Sequence, residues 1–177
     1  DIVQIHWSTA KYNPWQELQL LNNLCDLIDQ GFNFEIGLSN IGPQRLKTII
    51  QYLSKKNKKV KSVQIQFSLL SPDFLKQTNV KRICENNDID FLAYSPLSFG
   101  ILCIDPEKDE DKQNSFLRSL IFKNYKKSTT DLRKCLKKIA VSRSVSQAQV
   151  AINWCCYQGV IPLSLIHISE PTRQPII

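Results

Sequence analysis

A chain of 177 residues with 42% hydrophobic and 22% charged residues is long enough for one domain with a real core, and its balance is that of an ordinary globular protein. No apolar run approaches about 18 residues, which excludes an apolar membrane-spanning helix. The net charge of +7 is not laid out as a nucleic-acid footprint. Its densest group, Lys55, Lys56, Lys58, Lys59 and Lys61, has no interleaved aromatic residue and reads as a solvated helix end.

The chain opens on Asp1-Ile2-Val3 with no signal peptide and contains no Met, so it is expected to begin downstream of its gene's start. Ile2 to Trp7 reads as a strand with Gln4 and His6 on one face and Val3, Ile5 and Trp7 on the other. A helix follows, with Asn13 as cap, Pro14 at its first position, Gly31 at its exit and an apolar stripe of Leu18, Leu21, Cys25 and Ile28.

Phe34 to Asn40 is the second predicted strand, and it ends in small polar residues. Pro43 to Lys55 is the second helix, with Leu46, Ile49, Ile50 and Leu53 at helical spacing. Val63 to Leu70 is the third strand, closed by a Ser71-Pro72-Asp73 turn. A helix centred on Val80, Ile83 and Cys84 leads to a fourth strand, Ile89 to Tyr94.

Leu97 to Thr130 is a long charged connection with a helix expected near Phe116 to Phe122. Leu132, Cys135, Leu136 and Ile139 mark an amphipathic helix. Ser146 and Gln149 form a capping box for the next helix, which carries Val150, Trp154 and Cys155 and ends at Gly159. Val160 to Leu163 is a fifth, short strand.

The six Cys include no CxxC pair and no zinc spacing, so no metal site is expected and the setting reads as reduced and intracellular. Cys25, Cys84, Cys135 and Cys155 are placed on apolar helix faces.

Strands recurring about every 30 residues with helices between them indicate right-handed βα units and parallel strands. The fold class is α/β, either a doubly wound sheet or part of a (β/α)₈ barrel. A whole barrel needs about 250 residues. No GxGxxG follows any strand, which weighs against a dinucleotide-binding sheet.

Five phrases carry a resemblance: Gln4-Ile5-His6-Trp7, Gly37-Leu38-Ser39-Asn40, Gln64-Ile65-Gln66-Phe67-Ser68-Leu69-Leu70, Ala93-Tyr94-Ser95-Pro96-Leu97 and Gln149-Val150-Ala151-Ile152-Asn153-Trp154. In order and spacing they resemble aldo-keto reductases. Tyr12-Asn13-Pro14-Trp15-Gln16-Glu17 and Phe67-Ser68-Leu69-Leu70-Ser71 are similar to the plastid-type group of plants and algae. The resemblance covers residues 1 to 163 and implies a partial (β/α)₈ TIM barrel, strands four to eight of the family fold.

It also implies NADPH-dependent reduction of small aldehydes or ketones without a metal, in the cytoplasm or a plastid. The partner is then a small carbonyl substrate, with neither nucleic acid nor membrane. The family's catalytic Asp, Tyr and Lys lie on earlier strands, so His6 alone remains of the catalytic set and the chain is expected to be inactive by itself. Ser164 to Ile177 departs from the family and is similar to translated sequencing-adaptor sequence, so this tail, His167 included, is expected to be non-native.

The resemblance gives each site residue a role beside its plainer one. His6 is either a core His satisfied by backbone or a neutral imidazole donating to the substrate carbonyl. Ser39 and Asn40 either cap the next helix or, with Gln64, clamp the nicotinamide carboxamide, whose donor and acceptor suit amide side chains.

Tyr94 is a half-buried aromatic or a platform stacked on the nicotinamide. Ser95, Pro96, Leu97 and Gly100 start a loop over the pyrophosphate, with backbone N–H donors. Trp7 lines the substrate pocket or packs under the first helix. Two other readings of the parent are a non-catalytic NADP-binding regulatory or scaffolding subunit, as in potassium-channel β subunits, and a basic RNA-associated protein.

Overall fold

The computed structural model describes residues 1–8, 13–71, 73–107 and 128–163. It contains strands β1 (Ile2–Ile5), β2 (Glu35–Ser39), β3 (Val60–Gln66), β4 (Asp90–Tyr94) and β5 (Ile161–Leu163). The helices are α1 (Pro14–Asp29), α2 (Pro43–Ser54), α3 (Phe74–Asn86), α4 (Thr130–Arg143) and α5 (Gln147–Tyr157). The strands lie side by side in chain order, and each pairs in parallel with the next. Consecutive parallel strands with a helical crossover between neighbours form one wall of a (β/α) barrel.

Local chemistry sets the helix ends. Asn13 Oδ1 accepts the Gln16 N–H at 3.3 Å, Pro14 takes the first turn of α1, and the chain leaves through Gly31 at φ +98°. At α5 the Ser146 hydroxyl accepts the Gln149 N–H at 3.2 Å while Gln149 Oε1 accepts the Ser146 N–H at 2.8 Å, the reciprocal capping box expected.

The core lies between the sheet and its helices. Ile36 and Leu38 on β2, Val63 and Ile65 on β3, and Phe91 and Ala93 on β4 alternate towards the helices. There they meet Leu21 and Cys25 of α1, Leu46, Ile49 and Leu53 of α2, and Val80, Ile83 and Cys84 of α3. Phe67 stacks on Trp154 of α5 at 5.4 Å between ring centroids, which ties α5 to the segment that follows β3. Glu17, 1% exposed, accepts from Arg45 Nε at 2.5 Å and joins α1 to α2.

Several sequence expectations shift. β1 stops at Ile5, so His6 and Trp7 follow the strand. β3 begins at Val60 and ends at Gln66, because the backbone N–H of Ser68 turns to the Ser71 hydroxyl at 2.7 Å and leaves the ladder. Cys135 and Ile139 are exposed, so the apolar stripe of α4 narrows to Leu132, Leu136 and Ala140. The helix expected near Phe116 to Phe122 and the tail from 164 lie outside the described residues.

Candidate active site

Parallel strands put all their carboxyl ends on one rim, where polar side chains can meet without interrupting the core. Alternation sends Gln4, Gly37, Ser39, Ser62, Gln64, Leu92 and Tyr94 to the sheet face opposite the helices. Close strand approach is needed there. A Cβ on Gly37 would lie 2.8 Å from Ser62 Oγ and 2.9 Å from Ile2 Cγ2, so glycine leaves room for the side chains of β1 and β3 to close over β2 at that level.

Three strand ends are tied together at the rim. Asn40 Nδ2 donates to the His6 carbonyl at 3.1 Å and to Ser39 Oγ at 3.0 Å. Tyr94 donates its hydroxyl to Asn40 Oδ1 at 2.8 Å across the intervening strand. Ser39 donates to the Gln64 carbonyl at 3.0 Å, and the Asn40 N–H reaches the same oxygen at 3.0 Å. Asn40 adopts φ +53°, a left-handed conformation that turns its amide over the end of β1.

The capping alternative therefore fails. α2 starts at Gly42 with no side-chain cap, while Ser39 and Asn40 spend their hydrogen bonds across strands. His6 is exposed in this chain, and its ring meets that of Trp7 edge-on at 5.9 Å. Trp7 is 59% exposed and lines a cavity of about 210 Å³ with Asn40 and Tyr94, away from the core under α1. Burial raises the Tyr94 phenol above its usual range.

The residues suit a carboxamide in part. Gln64 is half-buried, and its side-chain amide has no hydrogen-bond partner among the described residues, so both its donor and its acceptor are open. Both Asn40 N–H donors are already engaged, which leaves that residue a spare acceptor lone pair.

Past Tyr94 the chain makes tight turns with Ser95, Ser98 and Phe99 at φ +52°, +49° and +57°. Such strained positions cluster where function requires them. The Ser98 and Gly100 N–H groups are bonded to the Ser95 and Leu97 carbonyls, and Pro96 has no N–H. The loop is anchored instead by Ser98 Oγ, 2.7 Å from Ser68 Oγ.

The sequence reading missed Gln66, Lys76 and Gln77, which also line the 210 Å³ cavity. The signal was present: Gln77 interrupts the buried stripe it shares with Val80 and Cys84. A larger groove, about 790 Å³, runs over α4 and α5 and contains none of the rim side chains. No group of three metal-ligating side chains occurs among the described residues, and no helix there is long and apolar enough to cross a membrane.

The family model for aldo/keto reductases matches residues 1–173. The chain belongs to the aldo/keto reductase family. It is 39% identical over 173 residues to a chloroplastic pyridoxal reductase of Arabidopsis thaliana, covering 96% of this chain and 47% of that protein. It is 25% identical over 138 residues to an uncharacterized oxidoreductase of Schizosaccharomyces pombe, covering 78% and 37%. The chain thus spans less than half the length of these two relatives. A glycerol dehydrogenase from Gluconobacter oxydans superposes with a TM-score of 0.63 at 21% identity, covering 92% of this chain and 48% of its own. That likeness bears on the fold and agrees with a partial barrel.

Proposed function

We propose that the whole protein is an NADPH-dependent oxidoreductase that reduces a small aldehyde or ketone, with this chain supplying the second half of its barrel. The observation that carries the reading is the rim network linking His6, Ser39, Asn40, Gln64 and Tyr94 in a chain of this family. The 39%-identical relative is named a pyridoxal reductase, which makes an aromatic aldehyde of that kind the first substrate to try and a plastid the first compartment to examine.

In this reading Gln64 and Asn40 hold the carboxamide of the nicotinamide, and Ser39 fixes the Asn40 rotamer through its hydroxyl. The Tyr94 ring limits the nicotinamide on one side while its hydroxyl keeps Asn40 in place. Ser95, Pro96, Leu97 and Gly100 form the turn beside the phosphates, using donors other than the two committed N–H groups. When bound, the cofactor supplies the hydride. His6, with its ring in the open beyond β1, donates a hydrogen bond to the carbonyl oxygen and draws electron density from the carbon under attack. Trp7 shields the substrate from water. The group that protonates the oxygen comes from the part of the barrel outside this chain.

The test is consumption of NADPH by the full-length protein with a panel of aldehydes, pyridoxal among them. Turnover is expected, and His6→Ala is expected to lower kcat/KM by roughly 10²- to 10⁴-fold with an unchanged melting temperature. Residues 1–163 alone are expected to show none. A full-length protein that binds neither NADPH nor NADH and reduces no carbonyl would refute the proposal.

A further inference from the structure

The wall of the 210 Å³ cavity that faces the rim is formed by Trp7, Asn40 and Tyr94, which the proposed reaction already uses. The opposite wall is α3, and nothing so far gives it a task. Gln77 lies there with 5% exposure, and its Oε1 is buried without a hydrogen-bond partner among the described residues. A native fold seldom leaves an amide in that state unless something else completes it. Lys76 stands beside it, its stem near Gly42 and its ammonium with no ion-pair partner among the described residues. Gln66 reaches the same space from the end of β3.

We propose that this cavity is a polar subsite for a hydroxyl group on the carbonyl substrate, with Gln77 as the residue that recognises it. The inference rests on the reductase reading and narrows its substrate class to hydroxylated aldehydes and ketones. A hydroxyl is the group that fits, because it donates to an amide oxygen and accepts from an amide N–H, so either orientation of Gln77 is completed. The volume also fits: 210 Å³ is several times the roughly 30 Å³ of one water molecule, enough for a short hydroxylated arm or one small ring but not for a second cofactor. Trp7 adds flat apolar surface to the lining, and the polar side chains Gln66, Lys76 and Gln77 lie at the end of β3 and on α3. The arrangement selects a substrate with an apolar or aromatic body and a hydroxyl pointing away from the reacting carbon.

The experiment compares kcat/KM of the full-length protein for matched aldehyde pairs, one with the hydroxyl and one without. Benzaldehyde and its hydroxymethyl derivatives make a convenient series. Wild type is expected to prefer the hydroxylated member by roughly tenfold or more, and Gln77→Leu to abolish that preference while leaving the plain aldehyde within about twofold. Gln77→Glu, which keeps an acceptor of the same length, is expected to retain most of the preference, whereas Gln77→Met, of the same length without the amide, is expected to lose it, so that shape alone is not responsible.

Equal losses on both substrates, no hydroxyl preference in wild type, or a change confined to NADPH affinity would each overturn the subsite. The last of these would assign the cavity to the cofactor. Failure of the protein to reduce either aldehyde would instead sink the underlying reductase reading, so the two failures are distinct.

Discussion

The two faces of the sheet divide the work. Towards the helices stand Ile36, Leu38, Val63, Ile65, Phe91 and Ala93, apolar and nearly all without solvent contact. Towards the barrel axis stand Gln4, Gly37, Ser39, Ser62, Gln64 and Tyr94, polar or small, with hydrogen bonds running from strand to strand. Both sets come from the same few strands, one residue apart. One face excludes water over a wide apolar area, and the other gathers polar groups, of which the Gln64 amide is without a hydrogen-bond partner among the described residues.

The outer face can be broken without touching the inner one. Leu38 is 1% exposed, and Leu38→Ala is expected to cost about 2–5 kcal/mol of folding free energy, read by denaturant unfolding, with little change in the KM of surviving protein. The core over that face also contains buried thiols of α3 and α5. Burial lifts Cys84 to about 12 and Cys155 to about 11 from an ordinary value near 9. The folded chain therefore keeps protons that the unfolded chain releases. That contribution is complete below pH 9 and is lost as pH rises towards the two folded values. Within the window each thiol should lower the folding constant by roughly tenfold per pH unit. Cys84→Ala and Cys155→Ala should each flatten a stability profile taken from neutral into alkaline pH.

The inner face is tested by Gly37→Ala. The added methyl would meet Ser62 Oγ and Ile2 Cγ2 inside 3.0 Å, so those side chains or the strands that bear them must shift. A cost of about 1–3 kcal/mol is expected, smaller than that of Leu38→Ala. Activity should fall further than stability, because the displaced strand ends carry His6 and Asn40. Equal stability losses and equal retention of activity in the two variants would erase the distinction between the faces.

Much of the fold was legible because its signals are local. Asn13-Pro14 and the Ser146–Gln149 box fix helix starts within four residues of chain, and the structure keeps both. The rim residues were legible by resemblance and by their position at strand ends. Their bonding was not. Nothing in Ser39-Asn40 distinguishes a helix cap from a cross-strand tie, since either uses the same oxygen and amide. The choice depends on where His6, 34 residues earlier, and Tyr94, 54 residues later, are brought. β3 was misplaced for a similar reason: its hydrophobic alternation runs on past Gln66, but the Ser71 hydroxyl captures the Ser68 N–H and ends the ladder. Cys135 and Ile139 have helical spacing, yet no element covers them among the described residues.

Periodicity and end-capping chemistry in the amino-acid order were enough to determine parallel βα units, their order and the face each apolar residue takes. Tertiary structure alone decided that Asn40 belongs to Tyr94 and His6, and that Gln77 lines a cavity with its Oε1 unsatisfied among the described residues. Those outcomes depend on distances between segments far apart in the chain, and only the closing of the sheet sets such distances.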